Sequence, residues 1–410
     1  MERQHDAGVF VCRTIILEKK MTTYTTPLAL AKRLIALPSY VDDACDETCA
    51  QDFLADYLRA TFPEMSVEKQ YIAGSRRYNL LLKGNKNPKL FALGHIDTVQ
   101  PKAGWRTDPL APTIRCGKLY GLGAADMKSS LAAFLWAVAQ EKRTISLDDL
   151  AILIYVDEEY DFAGIRRFVG DAQSQTYAPR LTLSLDGELA VGSGCRGLIE
   201  IRFAVTGKSG HAANPALGIN AITESMAAIT TLARSFDAYT DVGLGSTTLN
   251  VAAMRGGVRL KEANGVVRWL KEGNVIPDTA EIVLEVRPAI ATVDATYVMT
   301  LLREQLSRRG LILGETTVRH DISPWPACKD KKSIELLKKV YNETGVPFRL
   351  SDRKLQGYID AQMVAESIAV PTFIIGTGGE NKHGANECVP TANIDAAAQI
   401  YRGVLRKVLS

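Results

Sequence analysis

The chain has 410 residues, which at ~150 residues per domain predicts two or three domains and a large core. Hydrophobic residues make up 46% and charged residues 23%, so a disordered, collagen-like or disulfide-scaffold chain is excluded. A net charge of only +3 over this length predicts no nucleic-acid partner and no membrane partner.

The first residues favour neither a membrane anchor nor a signal peptide. Residues 9–17 are apolar, but Arg13 interrupts them and no small-residue cleavage site follows. No apolar run approaches the ~18 residues that a membrane span needs. We expect residues 1–20 to form a loose tail, with Met21 as a candidate true start, and the protein to be cytoplasmic.

Apolar runs alternate with amphipathic stretches along most of the chain, which predicts an α/β protein. The runs at 89–93, 150–156, 181–185 and 370–375 are almost continuously apolar, which is typical of strands buried on both faces of a sheet. Helical spacing of apolar residues predicts helices at 50–61, 129–140, 334–344 and 393–409.

The middle of the chain has a different pattern. Apolar and polar residues alternate at 198–206, 247–254, 280–286 and 315–322, and helical spacing occurs at 218–236 and 293–308. The order strand, helix, two strands, helix, strand is that of a ferredoxin-like unit. We therefore predict a small α+β domain at 198–322, inserted into a larger α/β domain formed by 21–197 and 323–410.

Histidines and carboxylates follow the four predicted buried strands, at the point where each strand ends. The residues are His95 and Asp97, Glu158 and Glu159, Asp186, and His383 beyond a glycine-rich loop, with Asp126 at the start of a helix. Ligands of open α/β sheets bind beyond the carboxyl ends of the strands. Imidazoles and carboxylates gathered there predict a site for zinc, cobalt or manganese.

Each of these residues has a more ordinary explanation when it is taken alone. A single histidine after a strand is usually structural, a Glu-Glu pair usually lies in a solvated loop, and Asp126 reads as a helix N-cap. Their coincidence at four strand ends favours the metal site. The set contains no cysteine, which argues against a structural zinc, and two adjacent carboxylates can serve as ligand and base.

The sequence lacks the motifs of several other classes of enzyme. The stretch Gly121-Leu122-Gly123 has Asp126 where a dinucleotide-binding loop has its third glycine, and no phosphate loop, GxSxG elbow or HExxH helix occurs.

Eight short motifs carry a resemblance to a known family, in the order in which the family has them. They are GHIDTV (94–99), GLGAADMK (121–128), DEE (157–159), LDGE (185–188), GHAANP (210–215), NVIPD (274–278), EVRP (285–288) and GENKHGANE (379–387). The chain resembles the co-catalytic zinc aminoacylase and carboxypeptidase family, which includes acetylornithine deacetylase, succinyl-diaminopimelate desuccinylase and several di- and tripeptidases. This resemblance implies a catalytic domain with a central, mostly parallel sheet and an inserted dimerisation or lid domain.

The resemblance also implies two divalent metal ions per chain, most simply Zn²⁺, with Co²⁺ or Mn²⁺ as alternatives. Asp126 would bridge the ions, with His95 and Asp186 completing one site and Glu159 and His383 the other. Some family members carry Glu at the Asp186 position, and Glu188 is close by, so the choice between the two carboxylates stays open. Glu158 would be the general base, and Asp97 would orient His95.

The inserted domain is implied to form a homodimer and to cover the site. By resemblance, His211 reaches the partner's active site and donates a hydrogen bond to the oxyanion, while Arg287 and Asn274 hold a substrate carboxylate. The ordinary alternatives are a turn histidine and a surface salt bridge. The stretch 258–273 is longer than the family usually has, and we hypothesise that it shapes specificity.

The predicted activity is metal-dependent removal of an acetyl-type or succinyl-type N-acyl group from a small-molecule amino acid. A dipeptidase or carboxypeptidase of the same family is the alternative, because all of these enzymes cleave an amide and differ in the acyl pocket. A non-catalytic ligand-binding relative is a weaker alternative, since every expected ligand and base position is filled.

Overall fold

The computed structural model describes residues 24–261, 267–270, 273–354 and 357–410, so the tail predicted at 1–20 lies outside the described residues. The chain divides into two compact units. The first comprises the described residues up to Ser193 together with Cys328–Ser351 and Ile359–Ser410, and the second comprises Gly194–Ala327 and Asp352–Tyr358. The structure thus groups residues 352–354 and 357–358 with the second unit, whereas the sequence prediction assigns them to the larger domain.

The strands and helices are numbered in chain order. The strands are β1 Ser66–Tyr71, β2 Tyr78–Lys83, β3 Leu90–His95, β4 Thr113–Arg115, β5 Lys118–Tyr120, β6 Leu150–Tyr155, β7 Leu181–Ser184, β8 Leu198–Thr206, β9 Thr240–Asp241, β10 Gly245–Ser246, β11 Thr248–Gly257, β12 Arg259–Lys261, β13 Val267–Trp269, β14 Thr279–Arg287, β15 Ile312–Ile322, β16 Thr372–Ile374 and β17 Cys388–Pro390. The α-helices are α1 Pro27–Ile35, α2 Thr48–Thr61, α3 Ser129–Glu141, α4 Ala163–Val169, α5 Ala221–Ser235, α6 Ala295–Ser307, α7 Lys331–Thr344, α8 Ala361–Ile368 and α9 Thr391–Leu409.

The first unit is built on a six-stranded sheet with the order β1-β2-β6-β3-β7-β16. Strands β6, β3, β7 and β16 run parallel, while β2 pairs antiparallel with both β1 and β6. Every residue of β3 and β6 is buried, as their apolar sequences predict. On one face Ala92 joins the main core of the unit, and on the other Phe91 stacks on Phe168 of α4.

The second unit contains a four-stranded antiparallel sheet with the order β11-β14-β8-β15. Residues of β14 alternate between partly exposed and buried, and the buried ones share an apolar core with α5 and α6. The order β8, α5, β11, β14, α6, β15 is the predicted ferredoxin-like arrangement. The predicted fold class, α/β with a mostly parallel central sheet and an inserted α+β domain, is therefore confirmed.

The long stretch at 258–273 contains a hairpin formed by β12 and β13. The guanidinium carbon of Arg255 lies 4.8 Å from the ring centroid of Trp269, a cation–π contact that attaches the hairpin to β11. Residues 262–266 and 271–272 of this stretch lie outside the described part of the chain, so its proposed effect on specificity stays a hypothesis.

No helix within the described residues is long and apolar enough to span a membrane.

Candidate active site

The parallel strands of the first unit deliver polar residues to one edge of the sheet. His95 is the last residue of β3, and Asp157, Glu158 and Glu159 follow β6. Asp186 follows β7, and the loop after β16 leads to His383. The carboxyl ends of these strands meet at the same edge, as expected for a binding site in an α/β sheet.

His95 is fully buried and held by Asp97. Its Nδ1 lies 3.1 Å from the carbonyl oxygen of Asp97 and 3.5 Å from that residue's Oδ1, while its Nε2 faces Asp126 Oδ1 at 3.3 Å. Among the described residues, none gives His95 Nε2 a well-formed hydrogen bond. Burial opposes a charge on His95, but the carboxylates of Asp126, Asp97 and Glu158 outweigh it and raise the pKa of the imidazole.

Asp126 lies in an irregular turn before α3 rather than at a helix cap. Helix α3 begins at Ser129, and the Asp126–Met127 peptide bond is cis. Glu387 fixes this turn, because its carboxylate accepts the backbone N–H groups of Gly123, Ala125 and Asp126 at 2.8, 2.7 and 2.9 Å. The interpretation of Asp126 as an ordinary N-cap is therefore wrong, and its carboxylate is free to face the histidines.

His383 faces the second carboxylate oxygen of Asp126, Oδ2, whereas His95 faces Oδ1. The Nε2 of His383 lies 3.4 Å from Asp126 Oδ2 and 3.0 Å from Glu159 Oε2. These two carboxylates raise the pKa of His383 to about 10, although burial opposes the shift. The backbone N–H of Glu159 donates to Asp97 Oδ2 at 2.9 Å, so Asp97 contacts residues on both sides of the site.

Two three-residue clusters result, and they share Asp126. The ligand atoms of His95, Asp126 and Asp186 lie within 4.8 Å of one another, and so do those of Asp126, Glu159 and His383. His95, Glu158 and Glu159 form a third such group. Imidazole nitrogens and carboxylate oxygens without thiolates suit zinc, cobalt or manganese, and the unbonded, buried Nε2 of His95 fits a metal ligand. The donor set therefore fits a pair of divalent ions.

Glu188, the alternative to Asp186, belongs to none of these groups of described residues. It lines a cavity of about 490 Å³ in the first unit, together with Arg349, Thr377 and Glu380 among others.

Glu158 lies beside the two clusters that share Asp126, and its carboxylate takes part only in the third group, with His95 and Glu159. Within the described chain, no hydrogen bond or ion pair reaches that carboxylate, and the residue is partly exposed. Burial raises the pKa of Glu158 well above its ordinary value, and the neighbouring carboxylates of Asp360, Glu159 and Asp186 add to this while His95 opposes it. A carboxylate in this position can accept a proton from a nearby water molecule.

An arginine supports the loop that carries Glu158 and Glu159. Arg77 binds the buried carboxylate of Glu47 and, through Nη2, reaches Asp157 Oδ1 at 2.6 Å. Asp157 has a positive φ of 70° and accepts the backbone N–H of Ala163 at 3.0 Å. The ion pair therefore fixes the backbone immediately before the Glu-Glu pair.

The remaining three predicted residues lie in the second unit. His211 is exposed, and its Nδ1 accepts the N–H of Ala213 at 3.1 Å, while the N–H of Ala212 donates to the carbonyl of Asn274 at 2.9 Å. Through this hydrogen bond of its neighbour Ala212, the structure brings His211 close to Asn274. Arg287 lies at the far end of β14, where its Nε contacts Glu285 Oε1 at 3.0 Å. Arg287 therefore stands apart from the other two in a single chain.

Three functional candidates were missed by sequence reasoning: Glu387, Arg77 and Lys382. Glu387 is the last residue of the GENKHGANE motif and is 2% exposed, and Lys382 directly precedes His383. The position of Glu387 and Lys382 within this motif was the signal that could have identified them. Nothing in the local sequence distinguishes Arg77 from its neighbour Arg76.

Most of this chain matches the sequence model of a known protein family. The model of "Peptidase family M20/M25/M40" matches residues 92–407. Succinyl-diaminopimelate desuccinylase of Nitrosomonas eutropha is 30% identical over 352 residues, which cover 80% of this chain and 85% of the relative. Acetylornithine deacetylase of Yersinia pseudotuberculosis is 28% identical over 401 residues, covering 91% and 95% respectively.

A solved structure with the same fold is the M20 family metallo-carboxypeptidase of Sulfolobus solfataricus. Its TM-score is 0.75 at 15% sequence identity, and the match covers 93% of this chain and 99% of that one.

Proposed function

The chain belongs to peptidase family M20/M25/M40, and we propose that within this family it removes the N-acyl group of an amino acid with the help of two divalent metal ions. The observation that carries the proposal is the pair of histidine and carboxylate clusters that share Asp126. The suggested substrate class follows the curated relatives, which act as a desuccinylase and a deacetylase.

Each residue of the clusters takes a role from its position. His95, Asp126 and Asp186 would hold one ion, and Asp126, Glu159 and His383 the other. Two such ions would polarise the substrate carbonyl and lower the pKa of a water molecule. Zinc is the ion that we propose, with cobalt or manganese as substitutes.

Side chains of the protein transfer the proton of the attacking water and hold the proposed metal ligands in position. Glu158, whose carboxylate lies next to both His95 and Glu159, takes the proton of the attacking water and passes it to the leaving amine. Asp97 orients His95 through the contacts at Nδ1 and holds the backbone of Glu159. Glu387 keeps Asp126 in place through three backbone N–H groups.

The second unit contributes to substrate binding in this proposal. Because Nδ1 of His211 accepts a backbone N–H, the neutral ring carries its proton on Nε2 and can donate from there to an oxyanion. We also propose that Arg287 and Asn274 hold a substrate carboxylate, and since the two stand apart within one chain, they would reach it from different chains. We place His211 in the site of the partner chain, which requires a homodimer, and the expected cytoplasmic location stays a prediction.

A panel of substrates tests the activity. N-acetyl and N-succinyl amino acids and unmodified dipeptides are incubated with the full chain and zinc or cobalt, and release of primary amine is measured with and without a chelator. We expect chelator-sensitive turnover of one acylated class. Turnover of dipeptides alone would identify a dipeptidase instead, and no turnover together with no bound metal would contradict the proposal.

A further inference from the structure

Lys382 places a positive charge beside two carboxylates of the site, those of Asp126 and Asp186. Its Nζ lies 3.4 Å from Asp186 Oδ1 and 3.6 Å from Asp126 Oδ2. Asp186 belongs only to the cluster that His95 completes, whereas Asp126 is shared with the cluster that contains His383. Glu159 is not part of the cluster that contains Asp186. In the described part of the chain, no ion pair joins Lys382 to Glu159.

We infer that Lys382 competes with the divalent ion for the His95–Asp126–Asp186 cluster and weakens metal binding there. An ammonium group within 4 Å of two carboxylates partly neutralises the charge that would attract a metal ion. The incoming ion must displace this group, and any group bound to the metal-free form lowers the apparent affinity for the metal. The inference rests on the proposed function, since it assumes that the clusters hold metal.

The lysine can leave without unfolding the site. Its side chain is 36% exposed, and a lysine stem is flexible, so the ammonium group can move into solvent when a metal ion arrives. The carboxylates stay in place, because Asp126 is fixed by Glu387 and Asp186 follows a buried strand. The two metal sites therefore fill in two steps, and the weaker step belongs to the cluster that contains Asp186.

Metal titration of the full chain tests this inference. The protein is stripped with a chelator and titrated with Zn²⁺ by calorimetry in the presence of a competing chelator, for the wild type, Lys382→Met and Lys118→Met. Methionine keeps an unbranched apolar stem and removes the charge. Lys118 is the matched control, because its Nζ contacts Glu380 Oε1 at 2.6 Å and no cluster residue.

We expect two ions per chain in two steps for the wild type. Lys382→Met should tighten the weaker step by about tenfold or more, since a competing charge has been removed, whereas Lys118→Met should leave both steps unchanged. Thermal unfolding gives a second measurement. Without the ammonium group the two carboxylates repel each other, so Lys382→Met should lower the Tm of the metal-free protein and enlarge the rise in Tm on metal addition.

The outcomes separate the two proposals. Two ions with unchanged or weaker affinity in Lys382→Met would overturn the role of Lys382 and leave the proposed function intact. A wild-type chain that binds no metal at all would overturn both.

Discussion

At the scale of single residues, Glu158 gives the most direct test of the proposed chemistry. We expect Glu158→Gln to lower kcat by ~10²–10⁴, because the amide cannot accept the proton of the attacking water. Bound metal, measured by elemental analysis, should stay at the wild-type level. Glu380→Gln is the control, since Glu380 pairs with Lys118 and belongs to none of the clusters of described residues.

Glu158 also forms a group with His95 and Glu159 that is able to hold an ion. Loss of one metal ion from Glu158→Gln would therefore make Glu158 a ligand rather than the base, and nearly normal turnover would remove it from the mechanism.

A second prediction at this scale concerns the buried ion pair beneath the Glu-Glu loop. Arg77 is 17% exposed and faces the carboxylates of Glu47 and Asp157, which are 0% and 5% exposed. We expect Arg77→Met to lower the free energy of unfolding by ~3–5 kcal/mol, because it leaves two buried carboxylates without a cationic partner. Chemical denaturation followed by circular dichroism measures this loss.

The neighbouring arginine provides the control for Arg77. Arg76 is 64% exposed and its Nε contacts Asp46 Oδ2 at 2.8 Å. We therefore expect Arg76→Met to lower the free energy of unfolding by less than ~1 kcal/mol. Equal losses for the two variants would show that the buried ion pair contributes nothing special to stability.

The same residues show what local sequence can predict about a site. His95, Glu158 and Asp186 were identifiable because each follows an apolar strand. Arg77 contacts a residue 80 positions away, Lys382 one 196 away, and Glu387 one 264 away. Their roles depend on tertiary folding that brings these segments together, and no local pattern encodes such contacts.

At the scale of elements, length and burial explain why some strands were predictable from the sequence and several others were not. Strands β3 and β6 have six buried residues each and produce long apolar runs. Strands β4, β5 and β17 have three residues each, too few for any periodicity to be recognised. Edge strand β1 is mostly partly exposed, so its sequence lacks an apolar run and gave no signal.

Helices α3 and α9 are joined by an ion pair whose effect depends on pH. Glu141, the last residue of α3, accepts from Arg402 Nε at 2.6 Å and from Arg406 Nε and Nη2 at 2.7 Å each, and its side chain is 2% exposed. Burial opposes ionisation, but these arginines outweigh it and lower the pKa of Glu141 to about 2.

A carboxyl group with a lowered pKa in the folded state stabilises the protein above its unfolded-state pKa, ~4.3 for Glu. We expect Glu141→Gln to lower the free energy of unfolding by roughly 2–3 kcal/mol at pH 7. This difference from the wild type should shrink as the pH falls from about 4.5 to about 2. Denaturant unfolding at several pH values measures both.

Glu343→Gln is the control, since its pair with Lys407 of α9 is 56% and 41% exposed and should contribute less than ~1 kcal/mol. A pH-independent loss in Glu141→Gln would contradict the ionic origin.

At the scale of the whole molecule, the second unit is inserted into the sequence of the first. The chain leaves the first unit after Ser193 and returns at Cys328, and the intervening strands and helices form a sheet and core of their own. The change from continuous apolar runs to strict alternation made this insertion predictable, because buried parallel strands and half-exposed antiparallel strands have different patterns. The place of residues 352–354 and 357–358 in the second unit was not predictable, since this short segment has no regular pattern in its sequence.

The last prediction tests whether His211 acts across a dimer. His211→Ala should lower kcat by ~10²–10³ without loss of metal, as expected for an oxyanion donor. If His211 serves the partner's site, a mixed dimer of His211→Ala and Glu158→Ala chains contains one site with both residues intact. Half of the dimers in an equal mixture are mixed, so activity should recover to about one quarter of the wild type. The two variants are unfolded together, refolded and assayed, with each variant refolded alone as the control. Recovery no greater than the sum of the two variants would place His211 in the site of its own chain or outside catalysis, and sedimentation of the wild type as a monomer would exclude the exchange altogether.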